Sequence, residues 1–283
     1  MNADELRATV TSLPALQTEG FPASERTWRG HVNAIRELII TEGPATFLTW
    51  PPIVSTMAAI GHHDWSQIHM EYLRRLPDWE SRWFKAVTEI PVGSPTIHCD
   101  FPASSNALLG AAYSIAQLEQ RLDMRVSGLS FVFEFGGGYG CMARLLRELG
   151  FEGLYLDYDF PVIAALAEYY LSEAGGLTSK GSCAFCISDL GDIRWILDAD
   201  PVPADSLFLS TWALSEAPLD TRMEVLSLVD KFRYFYVVYQ PSFREVNNDR
   251  FFASVPDMLQ GWQWESWKVE HLGARALAGV RTS

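Results

Sequence analysis

The segment FVFEFGGGYG at residues 131–140 constrains the fold of this chain more than any other part of the sequence. Its five leading residues are mostly apolar and predict a short buried strand. The glycines that follow reach backbone conformations closed to other residues, so their N–H groups can approach a ligand without side chains in the way. The residues after them, YGCMARLLRELG (139–150), predict a helix that ends at Gly150. A strand, a ligand-binding loop and a helix are therefore expected in succession.

The spacing of the glycines argues against two common phosphate sites. A dinucleotide-binding loop follows the pattern G-x-G-x-x-G, and its last glycine, counted from Gly136, would fall at Cys141. Gly140 lies one residue earlier. A Walker loop needs a lysine after its last glycine, and none follows here. We expect a different ligand on the backbone of four residues: Gly136, Gly137, Gly138 and Gly140.

The character of the chain changes near residue 125, which divides it into two predicted domains, 1–125 and 126–283. In the second, apolar strands alternate with amphipathic helices, which predicts an α/β fold with a doubly wound, seven-stranded, mostly parallel sheet. A C-terminal antiparallel hairpin turns at Gly273. The strands are predicted at 131–135, 153–159, 183–188, 205–211 and 232–240, with the hairpin formed by WESWKVEHL and ARALAGVR; helices are predicted at 139–150, 161–176 and 219–231.

The first 125 residues predict a mainly helical region. Residues 29–40 and 104–124 have helical periodicity, and Ser104 and Ser105 are good N-cap residues for the second helix. Several tryptophans lie between these helices, and core packing accounts for most of them. We expect this region to serve as a lid over the substrate, as a dimer interface, or as both.

Acidic residues near the predicted strand ends indicate which ligand the loop holds. Glu134 lies inside an apolar strand, where a carboxylate is costly unless it meets a cation or a hydrogen-bond donor. The α-ammonium of S-adenosylmethionine is such a cation; a loop amide or an arginine is the alternative partner. Asp159, with Asp157 as the alternative, is placed to accept hydrogen bonds from ribose hydroxyls. The remaining candidate cofactor contacts are Ser188, Asp189 and Leu190 near the adenine, with Asp189 alternatively a helix N-cap, and Ser210 and Thr211 after the fourth strand.

Together these features resemble the class I, Rossmann-like S-adenosylmethionine-dependent methyltransferases. Three segments, FEFGGGYG, YDFPVIAALAEYYL and LSTWALSEAPL, are similar to those of bacterial sugar O-methyltransferases. The resemblance implies S-adenosyl-L-methionine as cofactor, Asp159 as the ribose-binding acid and Glu134 as the loop acid. It aligns Glu216 with a glutamate that follows the fourth strand. The catalytic histidine of plant-type O-methyltransferases has no counterpart at Tyr239-Gln240-Pro241, and the Asn/Asp-Pro-Pro segment of base-modifying enzymes is replaced by Ser210-Thr211-Trp212-Ala213.

The methyl acceptor should lie at the carboxyl ends of the strands, where sites of open parallel sheets are found. Three candidate catalytic residues follow predicted strands: Glu216, Tyr239 and His271. His271 is the best general base by its ordinary pKa, although it could instead brace the hairpin turn. Glu216 could instead be an acid favoured by a helix N-terminus.

The composition of the chain argues against several kinds of binding partner. The net charge of −13 and the pI near 4.9 argue against nucleic-acid substrates. The N-terminus lacks the apolar segment of a signal peptide and no apolar run is long enough for a membrane span, so we expect a cytoplasmic protein. No metal is expected: Cys183 and Cys186 form a CAFC pair without a second pair, and His62, His63 and Asp64 are adjacent residues, which rarely share one ion.

The sequence thus predicts an O-methyltransferase that acts on a hydroxyl of a small molecule, a sugar or a secondary metabolite of natural-product biosynthesis. Two alternatives remain open from the residues alone. One is N- or C-methylation of a natural product. The other is a non-catalytic scaffold that binds S-adenosylmethionine without turnover.

Overall fold

The computed structural model describes residues 1–58, 63–175, 178–179, 182–199 and 201–282. Its centre is a sheet whose main strands follow the spatial order β6-β7-β5-β4-β1-β2-β3. Strands β1 to β5 run parallel, and β7 is antiparallel to both of its neighbours. The strands are β1 Phe131–Phe135, β2 Leu154–Tyr158, β3 Ser182–Ile187, β4 Ser206–Thr211, β5 Tyr234–Tyr239, β6 Trp262–Val269 and β7 Ala274–Arg281.

This arrangement confirms the predicted fold class. The predicted hairpin is β6 and β7, joined through a short 3₁₀ turn to Gly273, whose φ of +60° is readily adopted by glycine. One addition was not predicted: Thr178–Ser179 pairs antiparallel with the edge of β3. Two further two-stranded ribbons lie outside the sheet, Cys99–Asp100 with Ala103–Ser104 and Ser242–Phe243 with Val246–Asn247.

Helices cover both faces of the sheet. The longer ones are α1 Ala3–Ser12, α2 Ala23–Thr41, α3 His63–Arg74, α4 Asn106–Leu122, α5 Cys141–Glu148, α6 Pro161–Glu173, α7 Leu190–Ala199, α8 Leu219–Val229 and α9 Asn248–Met258. Shorter segments are Pro44–Thr49, Pro51–Ile53, Val54–Ala58, Trp79–Trp83, Phe84–Ala86, Val126–Gly128 and Ala213–Glu216. Within the described ranges, every helix is too short or too polar to cross a lipid bilayer.

Alternation along β1 explains how the two faces are covered. Val132 points into a core shared with α1, α2, α4, α5 and α6, whereas Phe131 and Phe133 point into a second core under α7, α8 and α9. The first core is continuous from Leu6 in α1 to Ala278 in β7. The helices before residue 125 therefore pack directly on the sheet, and this packing brings them to the carboxyl ends of the strands.

Candidate active site

A cavity of about 860 Å³ opens at the carboxyl ends of the parallel strands. One wall is the glycine loop, together with Glu134, Asp159 and the residues after β4; the other wall is helical. The helical wall consists of Glu25, Trp28, Arg29, Val54, Ser55, Thr56, Met57, Trp65, His69, Asn106, Ala107, Gly110, Ala111 and Ser114. The volume lies near the upper end of the roughly 300–1,000 Å³ typical of ligand pockets, so it can hold a ligand and a second small molecule together.

The loop after β1 can be made only of glycine at its first two positions. Gly136 has a φ of +80°, and a Cβ atom there would lie 2.0 Å from the Cβ of Ala213. A Cβ on Gly137 would lie 2.2 Å from a carboxylate oxygen of Asp157. Gly140, at φ +90°, is the N-cap of α5. The backbone of the loop is therefore pressed against the sheet on one side and exposed to the cavity on the other.

Three carboxyl groups lie beneath and beside this loop. Asp157 accepts from the N–H of Gly137 (3.1 Å), and Asp159 accepts from the N–H of Gly138 (3.0 Å) and of Phe160 (2.7 Å). Glu134 instead accepts from the hydroxyl of Tyr155 at 2.5 Å. The two aspartates thus fix the loop, while Glu134 neither caps a loop amide nor pairs with an arginine within the part of the chain that the structure describes. Glu134 and Asp159 line the cavity; Asp157 does not.

Glu134 and Asp157 are buried, Asp159 is half-buried at the cavity, and no cation balances any of the three among the described residues. Burial raises the pKa of Glu134 to about 7, against the hydrogen bond from Tyr155. Burial likewise raises the pKa of Asp159 to about 7, against its two backbone hydrogen bonds. The pKa of Asp157 is raised well above its ordinary value by burial and by its two acidic neighbours. Among the described residues, none of the three forms a salt bridge, and one oxygen of Asp157 has no hydrogen-bond partner.

The other predicted cofactor residues are placed differently. Ser188 and Asp189 are exposed after β3, and Leu190 is buried in the second core; the three lie outside the cavity lining. Asp189 accepts from the N–H of Gly191 at 2.6 Å, which is the geometry of the alternative N-cap role. Ser210 is buried and bridges the carbonyl of Phe135 and the N–H of Leu214, so it ties β1 to the segment after β4. Thr211 lines the cavity.

Glu216 lies on the cavity wall, as expected for a residue after β4. One of its oxygens accepts from Trp28 Nε1 (2.7 Å) and the other from Gln240 Nε2 (3.0 Å). Burial raises the pKa of Glu216, against these two hydrogen bonds. The structure thus joins helix α2, the end of β4 and the end of β5 at one carboxylate.

His271 reaches the site through another histidine. Its Nε2 atom lies 2.8 Å from Nε2 of His69, and it is His69 that lines the cavity. His69 stacks on Tyr113, and its Nδ1 atom is buried without a hydrogen-bond partner among the described residues. Burial and the neighbouring His271 lower the pKa of His69 to about 3, so its ring is neutral near pH 7. Burial also lowers the pKa of His271.

Tyr239 does not join the site. Its ring stacks on Phe252 at a centroid distance of 4.2 Å in the second core, away from the cavity lining. Strand alternation is the reason, because its neighbour Val238 points to the cavity.

The CAFC pair at 183–186 and the segment His62-His63-Asp64, for which no metal was expected, fall partly outside the described residues. His62 and the side chains of His63 and Cys183 belong to the parts of the chain that the structure does not describe. Over the described ranges, no group of three His, Cys, Asp or Glu side chains is arranged to hold a metal ion.

Sequence reasoning missed His69 and Trp28. His69 and His271 are 202 residues apart, and Trp28 and Glu216 are 188 apart, so only the tertiary fold brings each pair together. Trp28 sits in the polar-rich first turns of α2, just before the residues 29–40 whose periodicity predicted that helix. No local pattern distinguishes either residue.

Comparison with solved structures gives distant likenesses. No protein-family model matches the chain, and no curated protein matches it either. Among solved structures, it is similar to magnesium protoporphyrin IX methyltransferase from Synechocystis with bound SAM, at 15% identity and a TM-score of 0.42, over 77% of this chain and 98% of that one. It is also similar to a precorrin-6y methyltransferase from Geobacter metallireducens (10%, 0.42, 64% and 89%) and to the Methanococcus jannaschii fibrillarin pre-rRNA processing protein (9%, 0.42, 56% and 70%). TM-scores below 0.5 are too low to show a family.

Proposed function

We propose that this protein is an S-adenosylmethionine-dependent O-methyltransferase that acts on a hydroxyl of a small molecule. The observation that carries the proposal is the charge of the loop site. Glu134, Asp157 and Asp159 adjoin the glycine loop with no salt-bridge partner among the described residues. S-adenosylmethionine, with its α-ammonium and sulfonium, would favour the ionised form of these carboxyl groups, whereas a phosphate group would oppose their ionisation. The donor set therefore fits this cofactor better than a nucleotide.

Glu134 and Asp159 are assigned to different parts of the cofactor. Glu134 faces the cavity and would hold the α-ammonium; Asp159 would accept from the ribose hydroxyls. Asp157 does not contact the cofactor. It accepts a hydrogen bond from the N–H of Gly137 and so fixes the loop that does. Ser188, Asp189 and Leu190 remain the proposed adenine side of the site. When bound, the cofactor supplies an electrophilic methyl group.

For the acceptor, the chain must align a hydroxyl and receive its proton. We propose that His69 and His271 receive the proton of the acceptor hydroxyl. His69 is neutral and lines the cavity, and its hydrogen bond to His271 gives the proton a path to the less buried ring. Glu216 orients the acceptor. Tyr239 supports this wall from the second core and does not contact the acceptor.

The size and charge of the cavity favour a small acceptor. Its walls include residues of α2, α3 and α4, so the helical region before residue 125 forms the acceptor-binding side and covers it as a lid. The net charge of −13 disfavours nucleic acid. We propose a sugar or a secondary metabolite as acceptor, a cytoplasmic location, and the same helical region as the surface for any homodimer.

Calorimetric titration with S-adenosylmethionine tests the cofactor. We expect binding in the wild type, and loss of at least about tenfold in affinity in Asp159→Ala and Gly138→Arg. Asp257→Ala, which removes an exposed acid outside the cavity lining, is the matched control and should bind normally. Absence of binding in the wild type, or unchanged affinity in both loop variants, would refute the assignment. Mass spectrometry of acceptor pools incubated with labelled cofactor then separates turnover from binding alone and locates the methyl group.

A further inference from the structure

The acceptor side of the cavity has a marked charge imbalance. Four described lining residues carry carboxylates, Glu25, Glu134, Asp159 and Glu216, and one carries a guanidinium, Arg29. That guanidinium is already engaged: it donates to Glu25 (2.5 and 2.8 Å) and to the carbonyl of Gln17, and it lies 3.5 Å over the ring of Phe21. Within the described lining, an anionic acceptor would therefore meet acids without an available cation.

Glu216 is the carboxylate best placed to receive a cation. Its two hydrogen bonds come from neutral donors, Trp28 and Gln240, and no lysine or arginine forms a salt bridge with it among the described residues. A carboxylate has about four lone-pair sites, so about two remain. The nearby Arg222 donates to the carbonyls of Ser215 and Ala217 and to Asn248 instead.

Two tryptophans line the same cavity as this carboxylate. Trp28 donates to it, and Trp212 is the N-cap of the short helix Ala213–Glu216; both line the cavity. Trp212 has a φ of +74°, which is uncommon for a bulky residue and is typical of positions fixed by their surroundings at functional sites. A carboxylate and tryptophan rings in one cavity together can bind a protonated amine, through an ion pair with the acid and cation–π contacts with the rings.

We propose that the acceptor carries a protonated amine that binds Glu216 in the cavity that Trp28 and Trp212 also line, an inference that rests on the proposed use of this cavity for the methyl acceptor. The amine is a recognition group. It orients the molecule while a separate hydroxyl receives the methyl group. Acceptors with a carboxylate or phosphate at the same place are excluded.

Three phenols of similar shape test this inference: tyramine, tyrosol and 4-hydroxyphenylacetate, which differ in an ammonium, hydroxyl or carboxylate end group. Each is titrated calorimetrically into the protein at about pH 8, above the pKa of about 7 of Glu134 and Asp159, with and without S-adenosylhomocysteine. We expect tyramine to bind about tenfold more tightly than tyrosol, and the carboxylate to bind more weakly than both. Glu216→Gln should remove the preference for tyramine over tyrosol, because it removes the charge that the ammonium group would meet.

The control is Glu224→Gln, which removes one acid on α8 outside the cavity lining and should keep the preference. The inference is overturned if tyrosol or the carboxylate binds as tightly as tyramine, if tyramine does not bind at about 10 mM, or if folded Glu216→Gln retains the preference. If Glu216→Gln does not fold, the wild-type series of three phenols still decides. If the proposed function is wrong, S-adenosylhomocysteine does not bind. The preference among the three phenols is also measured without S-adenosylhomocysteine, so the two failures can be told apart.

Discussion

Glu134 lies almost fully buried in the central strand of the sheet, with Asp157 beside it in register on β2. Such a carboxyl group gains little from the fold itself, because desolvation opposes its charge and only the Tyr155 hydroxyl supports it. Its place is understandable if a cationic ligand completes the site. Residues of this kind lower the free energy of unfolding of the protein without ligand and raise its affinity for the ligand.

The first prediction concerns pH. Glu134 and Asp159 have pKa values of about 7 in the empty protein, raised mainly by burial. Below that pH they are neutral and attract a cation less, so the dissociation constant of S-adenosylmethionine should rise as the pH falls from about 8 to 6, by up to about tenfold per pH unit for each proton displaced. Titrations at several pH values measure this. Glu134→Gln should bind more weakly at pH 8 and show a flatter dependence; a wild-type affinity that does not change with pH would contradict the account.

The second prediction concerns stability at the same residue. Because the folded pKa of Glu134 is raised above 4.5, its favourable contribution is present below about pH 4.5 and is lost as the pH rises towards 7. In the absence of cofactor, Glu134→Gln should therefore be more stable than the wild type at pH 8, on the order of 1–3 kcal/mol, and similar near pH 4.5. Denaturant unfolding at both pH values measures the difference. Equal or lower stability of the variant at pH 8 would show that this carboxyl group carries no such cost.

At the scale of elements, the loop between β1 and α5 depends on close contact with the segment after β4. Gly136→Ala should place its Cβ against Ala213, whereas Gly261→Ala has nearly the same φ, +78°, with no heavy atom within 4 Å of the new Cβ. The second variant isolates the backbone cost, about 1–2 kcal/mol; the first adds overpacking of about 1–3 kcal/mol and should also weaken cofactor binding. Chemical denaturation of both compares them, and equal losses would mean that the loop is free to move away from Ala213.

The strands and the hairpin could be predicted because each is a short apolar run between glycine or polar breaks, as in FVFEF and DSLFLST. Helix α9 was not predicted, since Pro256 lies inside it and reads as a break. Helix α3 was missed because two of its buried positions are polar, Ser66 and His69, so the sequence shows only part of the stripe that the helix buries. The loop and its two aspartates follow from local spacing. The acceptor wall does not, because α2 and α3 reach β4, β5 and the hairpin only through the shared core.

At the scale of the whole molecule, the continuous first core couples the helical region to the sheet. Ile35 of α2 is fully buried in that core, so Ile35→Ala should cost about 2–5 kcal/mol and lower the unfolding midpoint seen by tryptophan fluorescence and by far-ultraviolet circular dichroism alike. Leu219→Ala, at a residue that is 56% exposed, should change stability by no more than about 0.5 kcal/mol. Separate transitions for the two probes would instead support independent domains on either side of residue 125.

We propose that the glycine loop and its acids hold S-adenosylmethionine. A crystal structure of the protein with S-adenosylhomocysteine would show whether the ligand lies on this loop. We expect the ribose hydroxyls within hydrogen-bond distance of Asp159, the amino-acid end of the ligand beside Glu134, and the helical wall of the cavity over the sulfur. Ligand density elsewhere, or a ligand whose ribose lies away from Asp159, would contradict this proposal.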